Sequence, residues 1–472
     1  MEQSAPREPQ TRAPTDGARR DASRARRPET RRKLLAFALV FAAAFCVRLL
    51  CWHDARTEAR AVQSAVTENY KQQARLVNDN GALSFFTPGS PTNDPDLLGH
   101  PPGYPFVLAL VYGLFGESDT AVQIFQIVCD SLAAALVLLV AVELLPFAAA
   151  VTAGALAAVA PQFCWNSILL LPDTLAVLPV LLAVLLLLQA DRGRTLLKVA
   201  TAGALLGLSC WLRANALLLA PFMALAVPFL FGRGKRVRVS LALVAGALAA
   251  VAPLTIRNAV VFGAFIPVSL GSGQTLIEGI GDYDPEEKFG LPDTDVELQR
   301  QEAESYGRPD YAATLFGPDA IARDRARRAR AFSLIRAHPF WFASVAARRA
   351  VSMLRLERVP LASNAVPARE GWTRPLRLAV RSTQRLFITA VFLPLYALGF
   401  LLLARARRTR ALAALAAVPL YYLCVQSALH TEYRYVLAIH YVLFVAAAAA
   451  LYHLARAARH VLRTEPRTVV SG

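Results

Sequence analysis

Charge is scarce in this sequence. Only 18% of the 472 residues are Asp, Glu, Lys or Arg, against roughly 25% in soluble globular domains. That shortfall excludes an ordinary string of soluble domains, although the length alone would suit about three. Lysine is rarer still, at five of the 51 basic residues, so the basicity is nearly all arginine. The six cysteines (Cys46, Cys51, Cys129, Cys164, Cys210 and Cys424) lie in or beside apolar blocks with no CxxC spacing. They read as small buried hydrophobes and exclude a disulfide framework or a thiolate metal centre. No P-loop, no GxGxxG after a strand, no HExxH and no GxSxG is present. Gly271-Ser272-Gly273 is too short for a phosphate cradle and reads as a turn, and the seven histidines show no metal-ligand spacing.

What the chain has instead is apolar residues, 55% of the total, gathered in unbroken blocks. Blocks of roughly 18 or more such residues read as membrane spans. The net charge of +17 would suit nucleic acid, but the basic residues stand at the ends of apolar blocks, where membrane topology asks for them. Residues 1–33 carry ten basic and five acidic residues without apolar periodicity, the pattern of a disordered tail. The block 34–52 follows directly. It is longer than the roughly 7–15 apolar residues of a signal peptide, so an uncleaved first span is expected.

Further spans are expected at 121–142, 147–164, 173–190, 196–211, 214–231, 239–256, 386–404, 411–427 and 435–455. The block 101–115 is short for a crossing, and charge decides against it. Without it, the clusters Arg192/Arg194/Lys198, Arg233/Lys235/Arg236/Arg238, Arg405/Arg407/Arg408/Arg410 and Arg456/Arg459 all fall on the side of the N-terminal tail. Counting it as a span inverts them all. The positive-inside rule therefore makes 101–115 an interfacial helix on the outer side. Trp52, Trp165 and Trp211 then fall at the outer ends of their spans, as an aromatic belt would.

The reading is an all-α polytopic membrane protein with about ten spans. A module 34–256 includes an outer loop 53–120. A large outer loop occupies 257–385, spans 386–456 follow, and 457–472 form a cytoplasmic tail. Within the large loop, 322–336 reads as a basic helix and 339–356 as an amphipathic interfacial one.

Acids in the outer segments are the candidate chemistry. Glu68 lies in TENYKQQA and Asp94 in TNDPDLLGHPPGYP, six residues before His100; Asp282 lies in EGIGDYDP. The D-x-D spacings at Asp94/Asp96, Asp282/Asp284 and Asp293/Asp295 can hold a divalent cation or supply a base. No cofactor is assigned. Asp173 in LLLPDTLA stands at the outer edge of a span, where an acid faces water, pairs, or caps a helix after Pro172. Asp130, deeper in its span, reads as a hydrogen bond to a neighbouring helix. Arg213, Arg257 and Arg434 stand at outer edges against the inside bias. Either each binds lipid phosphate or the three converge on a phosphate-bearing substrate, which Arg meets with paired hydrogen bonds.

Five segments carry a family resemblance: HPPGYPFVLALVYGLFG (100–116), LLLPDTLAVLP (169–179), GALLGLSCWLRANALLLAP (203–221), APLTIRNAVVFGAFIPVSLGSGQ (252–274) and EYRYVLAIH (432–440). Together they resemble bacterial glycosyltransferase family 39 proteins of the GT-C class, related to protein O-mannosyltransferases and lipid A aminoarabinose transferases. The resemblance implies a GT-C-like bundle and a sugar carried on polyprenyl phosphate. It also implies transfer on the outer face with a catalytic carboxylate in the first outer loop. The residues agree on one point independently: nucleotide sugars are cytoplasmic and no nucleotide motif is present, so an outer-face enzyme needs a lipid-carried donor. The departure is in the first loop. The family places an acid shortly before the loop's Tyr, and here Val66 and Thr67 stand four and three residues before Tyr70, with Glu68 out of register.

The expectation is thus an inner-membrane glycosyltransferase with both termini cytoplasmic, a lipid, glycan or protein acceptor, and no nucleic-acid partner. Asp94 or Glu68 is the expected base, Arg257, Arg434 and Arg213 the donor-phosphate ligands, and His100, Tyr104, Asp173 and Asp282 the cavity residues. Asp94 or Glu68 is expected to face Arg257 and Arg434 across a cavity open to lipid. The rivals are a transporter or lipid flippase, which needs paired ionisable groups mid-membrane, and a scaffold that has lost its base.

Overall fold

A computed structural model describes residues 16–284, 288–317, 319–357 and 373–464. Residues 1–15 and 465–472 of the two expected tails lie outside this description. Among the described residues every regular element is a helix or a helical turn.

Helix α1 (Asp16–Ala61) begins inside the expected N-terminal tail. Glu29 and Lys33 pair across one turn at 2.7 Å, a helix-supporting spacing. Then come α2 (Ser64–Asn80), α3 (Gly103–Phe115) and the long α4 (Asp119–Leu144). The next hydrophobic pieces are α5 (Phe147–Val159), α6 (Pro161–Asn166), α7 (Asp173–Gln189) and α8 (Thr195–Leu212). Two short helices, α9 (Leu219–Ala224) and α10 (Val227–Leu230), lead to α11 (Arg236–Phe262). The second loop contains α12 (Ser272–Gly281), α13 (Asp295–Tyr306), α14 (Ala320–Ala337) and α15 (Pro339–Ser352). Last come α16 (Arg374–Gln384), α17 (Thr389–Arg405), α18 (Thr409–Val425) and α19 (Leu437–Thr464).

Seven helices are long and apolar enough to cross a membrane, and α16 with α17, bent by 62°, makes an eighth if taken as one span. Side-chain contacts sort the helix ends into two faces. The end of α1 meets the start of α4 where Trp52 Nε1 donates to Gln123 Oε1 at 3.0 Å and Arg60 to Thr120 Oγ1 at 2.8 Å. The end of α8 meets the start of α7 through Arg213 and Asp173. These contacts define a loop face. At the other face Arg192 pairs with Glu143 at 2.6 Å and Arg410 with Asp191 at 3.4 Å. The chain must therefore return between faces along 147–166 and again along 214–231. In the first stretch Pro161 starts a new short helix after Ala160. The second is divided into turns with Pro221 and Pro228. Two of the ten segments expected thus fall in helices shorter than the seven or eight. Helix α3 does not cross: Gly103 abuts Trp211 O at the loop face, and Phe115 closely precedes the loop-face start of α4.

Packing follows from small residues. α8 and α11 lie side by side, and a Cβ built on Gly203, Gly207 or Gly246 would stand 2.0, 2.5 or 2.1 Å from Leu243 O, Ala247 O or Ala200 O. Glycine at these places lets backbones meet, the usual device where lipid removes the hydrophobic drive between helices. α19 is buried on all sides from Leu437 to Ala450, whereas α11 exposes Leu241, Leu248, Ile256 and Val260. A sealed ion pair ties four spans. Arg48 Nε donates to Asp130 Oδ2 at 2.5 Å, and its other nitrogens reach Ala44 O, Ala157 O and Ala158 O at 3.1, 3.3 and 3.0 Å. Tyr441 of α19 donates to the second Asp130 oxygen. All three side chains are fully buried.

Candidate functional site

The pieces of the site are held by buried polar contacts that the sequence motifs encode. In HPPGYP, the two prolines favour an extended His100, observed at φ −125°, ψ 148°. Gly103 then sits against the backbone of Trp211, where a Cβ would lie 2.4 Å from its oxygen. The irregular turn before Asp173 is buried, and its carbonyls have side-chain donors. Gln123 reaches Ile168 O at 2.7 Å, Gln126 reaches Leu169 O at 2.5 Å and Thr67 reaches Leu170 O at 3.4 Å. Thr67 is one of the two loop positions, with Val66, where the resemblance places an acid. Asp173 opens α7 but makes no capping hydrogen bond. Asn258 Nδ2 donates to Ile266 O and Val268 O at 2.9 and 3.0 Å and shapes the 265–271 wall.

These parts enclose a cavity of about 410 Å³ at the loop face. One wall is the end of α8 with Arg213 and Asn215. Another is the 265–275 segment, the third is α14 with Asp324 and Arg328, and Gln426, Leu429 and Tyr435 complete it. The cavity shares Leu217, Phe265 and Pro267 with an apolar groove of about 430 Å³ between α8, α11 and residues 216–221. Polar chamber and apolar groove are therefore contiguous.

Arg213 lies 3.2 Å from Asp173 Oδ1, and its guanidinium stacks 4.0 Å above the Tyr435 ring. Asn215 fixes that ring's backbone by donating to Tyr435 O at 3.1 Å. Both Asp173 oxygens are buried without a hydrogen bond, as are Thr174 Oγ1, Gln426 Oε1 and Arg434 Nε. Arg434 Nη2 donates to Glu432 Oε1 at 2.6 Å. Behind His100 an aromatic column runs Tyr70 to Tyr104, each ring centroid 5.1 Å from the next, and the Tyr104 hydroxyl donates to Gln126 at 2.7 Å. Burial, helped by the Arg213 charge, lowers the His100 pKa to about 4, so the ring is neutral. Burial raises Tyr70 above the ordinary phenol range despite the nearby Arg213. Beneath the cavity wall Gln274 Nε2 donates to Glu278 at 3.1 Å and also to Asp295. Burial, then the neighbouring Asp295, raises the Glu278 pKa well above the usual carboxylate range.

The expected site residues do not all meet here. Arg213 and His100 line the cavity; Asp173 and Arg434 stand against Arg213 and Tyr435; Tyr104 backs His100 through Tyr70. Glu68 lies outside, exposed and paired with Arg75 at 2.7 Å. Asp94 lines a separate narrow cleft with His100 and Arg257, where Oδ1 accepts from Asp96 N at 2.9 Å. Arg257 is taken up by the first loop. It donates to Phe85 O at 3.0 Å and to Asn93 and Asn258, between the rings of Phe85 and Phe262. Neither Glu68 nor Asp94 therefore faces Arg434 across the cavity, and the carboxylate beside Arg213 is Asp173. Asp282 sits at the far end of α12 with His430 at 2.9 Å and Arg349 at 3.7 Å. Among the described residues no group of three or more His, Cys, Asp or Glu side chains is placed to hold a metal ion. Asn215, Gln274, Asp324, Arg328 and Tyr435 are the lining residues that sequence reasoning missed. Arg328 is one of many arginines in 322–336, and only the fold distinguishes it.

Residues 99–256 match the family of dolichyl-phosphate-mannose-protein mannosyltransferases. The matched part runs from α3 into α11 and includes His100, Asp173 and Arg213. Among solved structures, the archaeal oligosaccharyltransferase AglB from Archaeoglobus fulgidus, in complex with an inhibitory peptide and a dolichol-phosphate, is similar at 17% identity with a TM-score of 0.51. That match covers 92% of this chain and 52% of AglB. The apo form of the A. fulgidus enzyme matches at 17% identity and a TM-score of 0.50 over 91% of this chain and 52% of the other. The form tethered to an acceptor peptide containing the NVT sequon matches at 16% and 0.50, over 91% and 51%. The chain spans about half the length of these structures, and at such identity the likeness is one of fold: a polytopic GT-C-type membrane bundle. No curated protein matches the chain by sequence.

Proposed function

We propose that this chain is a membrane glycosyltransferase that moves a sugar from a polyprenyl-phosphate donor to an acceptor on the loop side of the membrane. The observation that carries the reading is the junction of a polar, arginine-bearing cavity with an apolar groove of matching size. A sugar on a lipid phosphate is the amphiphile that needs both. The family match and the dolichol-phosphate held by the similar AglB structure support the same donor class. The basic clusters around Arg192, Arg233 and Arg405 belong to the face away from the cavity. By the positive-inside rule that face, with both termini, is the cytoplasmic one.

The chemistry is one displacement at the anomeric carbon. The acceptor oxygen bonds to that carbon, the carbon–oxygen bond to phosphate breaks, and the acceptor's proton passes to a carboxylate. Polyprenyl phosphate leaves as an anion, so it needs positive charge more than a proton, and Arg213 supplies it at the groove's mouth. We assign the proton to Asp173 ahead of Asp94 and Glu68. A buried acceptor without a hydrogen bond costs roughly 1–3 kcal/mol; Asp173 has two, with Arg213 as an ion-pair partner at Oδ1, and an acceptor hydroxyl supplies the missing hydrogen bond. Arg213, moving from Asp173 onto the phosphate, uncovers that carboxylate. Neutral His100 is left as a hydrogen-bonding wall.

The transporter reading needs ionisable groups with a water path between faces. Arg48 and Asp130 are paired within the spans, but fully buried and hydrogen-bonded among four helices. The test is transfer from a polyprenyl-phosphate sugar by purified variants. Asp173→Asn is expected to lose transfer by at least about 100-fold, with Glu68→Gln unchanged. Full activity of Asp173→Asn removes the assignment and returns Asp94 to first place.

A further inference from the structure

The proposed function engages one cavity guanidinium, Arg213. A second one lines the same cavity from a different part of the chain. Arg328 projects from α14 of the second loop. Its neighbours on that helix are committed elsewhere. Arg323 and Arg327 hold Glu302, with donor–acceptor distances of 2.6–2.9 Å, and Arg330 donates to Gly290 O at 3.0 Å. Arg328 has a looser partner, Asp324 four residues earlier on the same helix. Its Nε is buried and makes no hydrogen bond, although Asp324 Oδ2 lies 3.3 Å away. Asp324 is already engaged: Oδ1 accepts from Gly271 N and Gly273 N at 3.1 and 2.9 Å, and Oδ2 faces Ser272 Oγ at 3.4 Å. The acid thus hydrogen-bonds the N-terminal turn of α12 and meets Arg328 as an ion pair at Nε, without a hydrogen bond to it. The rest of the Arg328 side chain is open, with 43% of its surface accessible. A guanidinium held in a cavity with unused donors is a ready partner for a planar or tetrahedral oxyanion.

We propose that Arg328 recognises an anionic group, phosphate or carboxylate, on the acceptor. The cavity then takes two anions at once, the donor phosphate at Arg213 and the acceptor's group at Arg328. This rests on the proposed transfer for the first anion and adds the acceptor's chemical class. Three observations argue for two positions. Arg213 stands four residues before Leu217, which the cavity shares with the apolar groove, whereas Arg328 comes from α14 and does not line that groove. The lipid tail has its own groove, so the roughly 410 Å³ of the polar cavity is free for a sugar and an acceptor head group; sites of about 300–1,000 Å³ hold whole small ligands. Each guanidinium also has its own adjacent acid, Asp173 or Asp324, which fixes its position.

The experiment is binding of radiolabelled inorganic phosphate to the full-length protein in nanodiscs, with and without saturating undecaprenyl phosphate. Phosphate is expected to bind in both cases, to weaken about tenfold or more in Arg328→Gln, and to persist in Arg213→Gln, whose undecaprenyl phosphate affinity falls instead. Arg328→Lys keeps the charge and is expected to recover part of the loss. Phosphatidic acid in place of inorganic phosphate separates a lipid-borne from a water-borne group, and tighter uptake of either one identifies the source. Displacement of phosphate by undecaprenyl phosphate, or unchanged uptake of both probes by Arg328→Gln, overturns the proposal. Failure of undecaprenyl phosphate to bind at all counts against the donor reading alone, because the Arg328 arm is still read with phosphate.

Discussion

Replacing Asp130 by alanine should destabilise this protein more than loss of any surface ion pair. Asp130 accepts from Arg48 at 2.5 Å and from Tyr441, and all three side chains are fully buried among α1, α4, α5 and α19. Breaking a buried pair by removing one partner costs about 3–5 kcal/mol, because the other charge is left behind. Arg48 would keep three carbonyl partners, Ala44, Ala157 and Ala158, which points to the lower part of that range. Tyr441 would lose its acceptor, worth another ~1–3 kcal/mol. The expected total is about 4–6 kcal/mol. The reasoning also requires that removing every polar member together restores much of the loss, since no buried charge then remains. The triple change Arg48→Met, Asp130→Leu, Tyr441→Phe keeps the aromatic ring at 441, which stacks 3.5 Å from Phe163. Unfolding of purified variants in one detergent, followed by circular dichroism, measures the series. Stability of Asp130→Ala within about 1 kcal/mol of wild type, or a triple variant as unstable as the single one, would refute it.

The other predictions concern packing and pH. Gly203→Ala places a methyl 2.0 Å from Leu243 O, so α8 and α11 must separate, at ~1–3 kcal/mol by thermal unfolding; Gly113→Ala, with nothing within 4 Å, serves as the unaffected control. Burial lowers the His430 pKa, but the hydrogen bond and charge of Asp282 outweigh it and raise the pKa above 6.5. Its contribution to stability is then fully present below pH 6.5 and is lost as pH rises through the raised value. His430→Gln should flatten stability over that window, and an unchanged slope tells against the pair. Glu302 has the opposite sign. Burial raises its pKa, but hydrogen bonds and charges of Arg327 and Arg323 outweigh that and hold it below 4.5. Its contribution is present above pH 4.5 and disappears as pH falls through the lowered value, so Glu302→Gln should remove that part of the acid sensitivity.

The membrane architecture was legible because hydrocarbon imposes a simple rule: long apolar runs for spans and basic residues at one set of ends. The 101–115 block, expected as non-crossing from its length and from charge, holds a helix of only 13 residues. The 147–166 and 214–231 passages show the limit of that reading, since block composition does not reveal that prolines divide a crossing into shorter pieces. Side-chain direction was less accessible. Glu68 and Thr67 are adjacent in sequence, yet Thr67 is buried against Leu170 while Glu68 faces solvent and Arg75. Arg257 was conspicuous as an outward arginine, but its donors close the first loop onto α11. Asp173 invited a capping role from its place after Pro172; only the tertiary position of Arg213, far along the chain, shows a different environment. Arg328 was hidden among equivalent arginines because helical rotation and Glu302, not local sequence, decide which ones turn inward.

The most direct test of the account is incubation of the purified full-length protein with a panel of polyprenyl-phosphate sugars and envelope acceptors, scoring release of free polyprenyl phosphate. Acceptor-dependent release is expected with at least one sugar, reduced at least about tenfold by Arg213→Gln. Undiminished release by that variant, or no release with any donor while the lipid phosphate still binds, would contradict it.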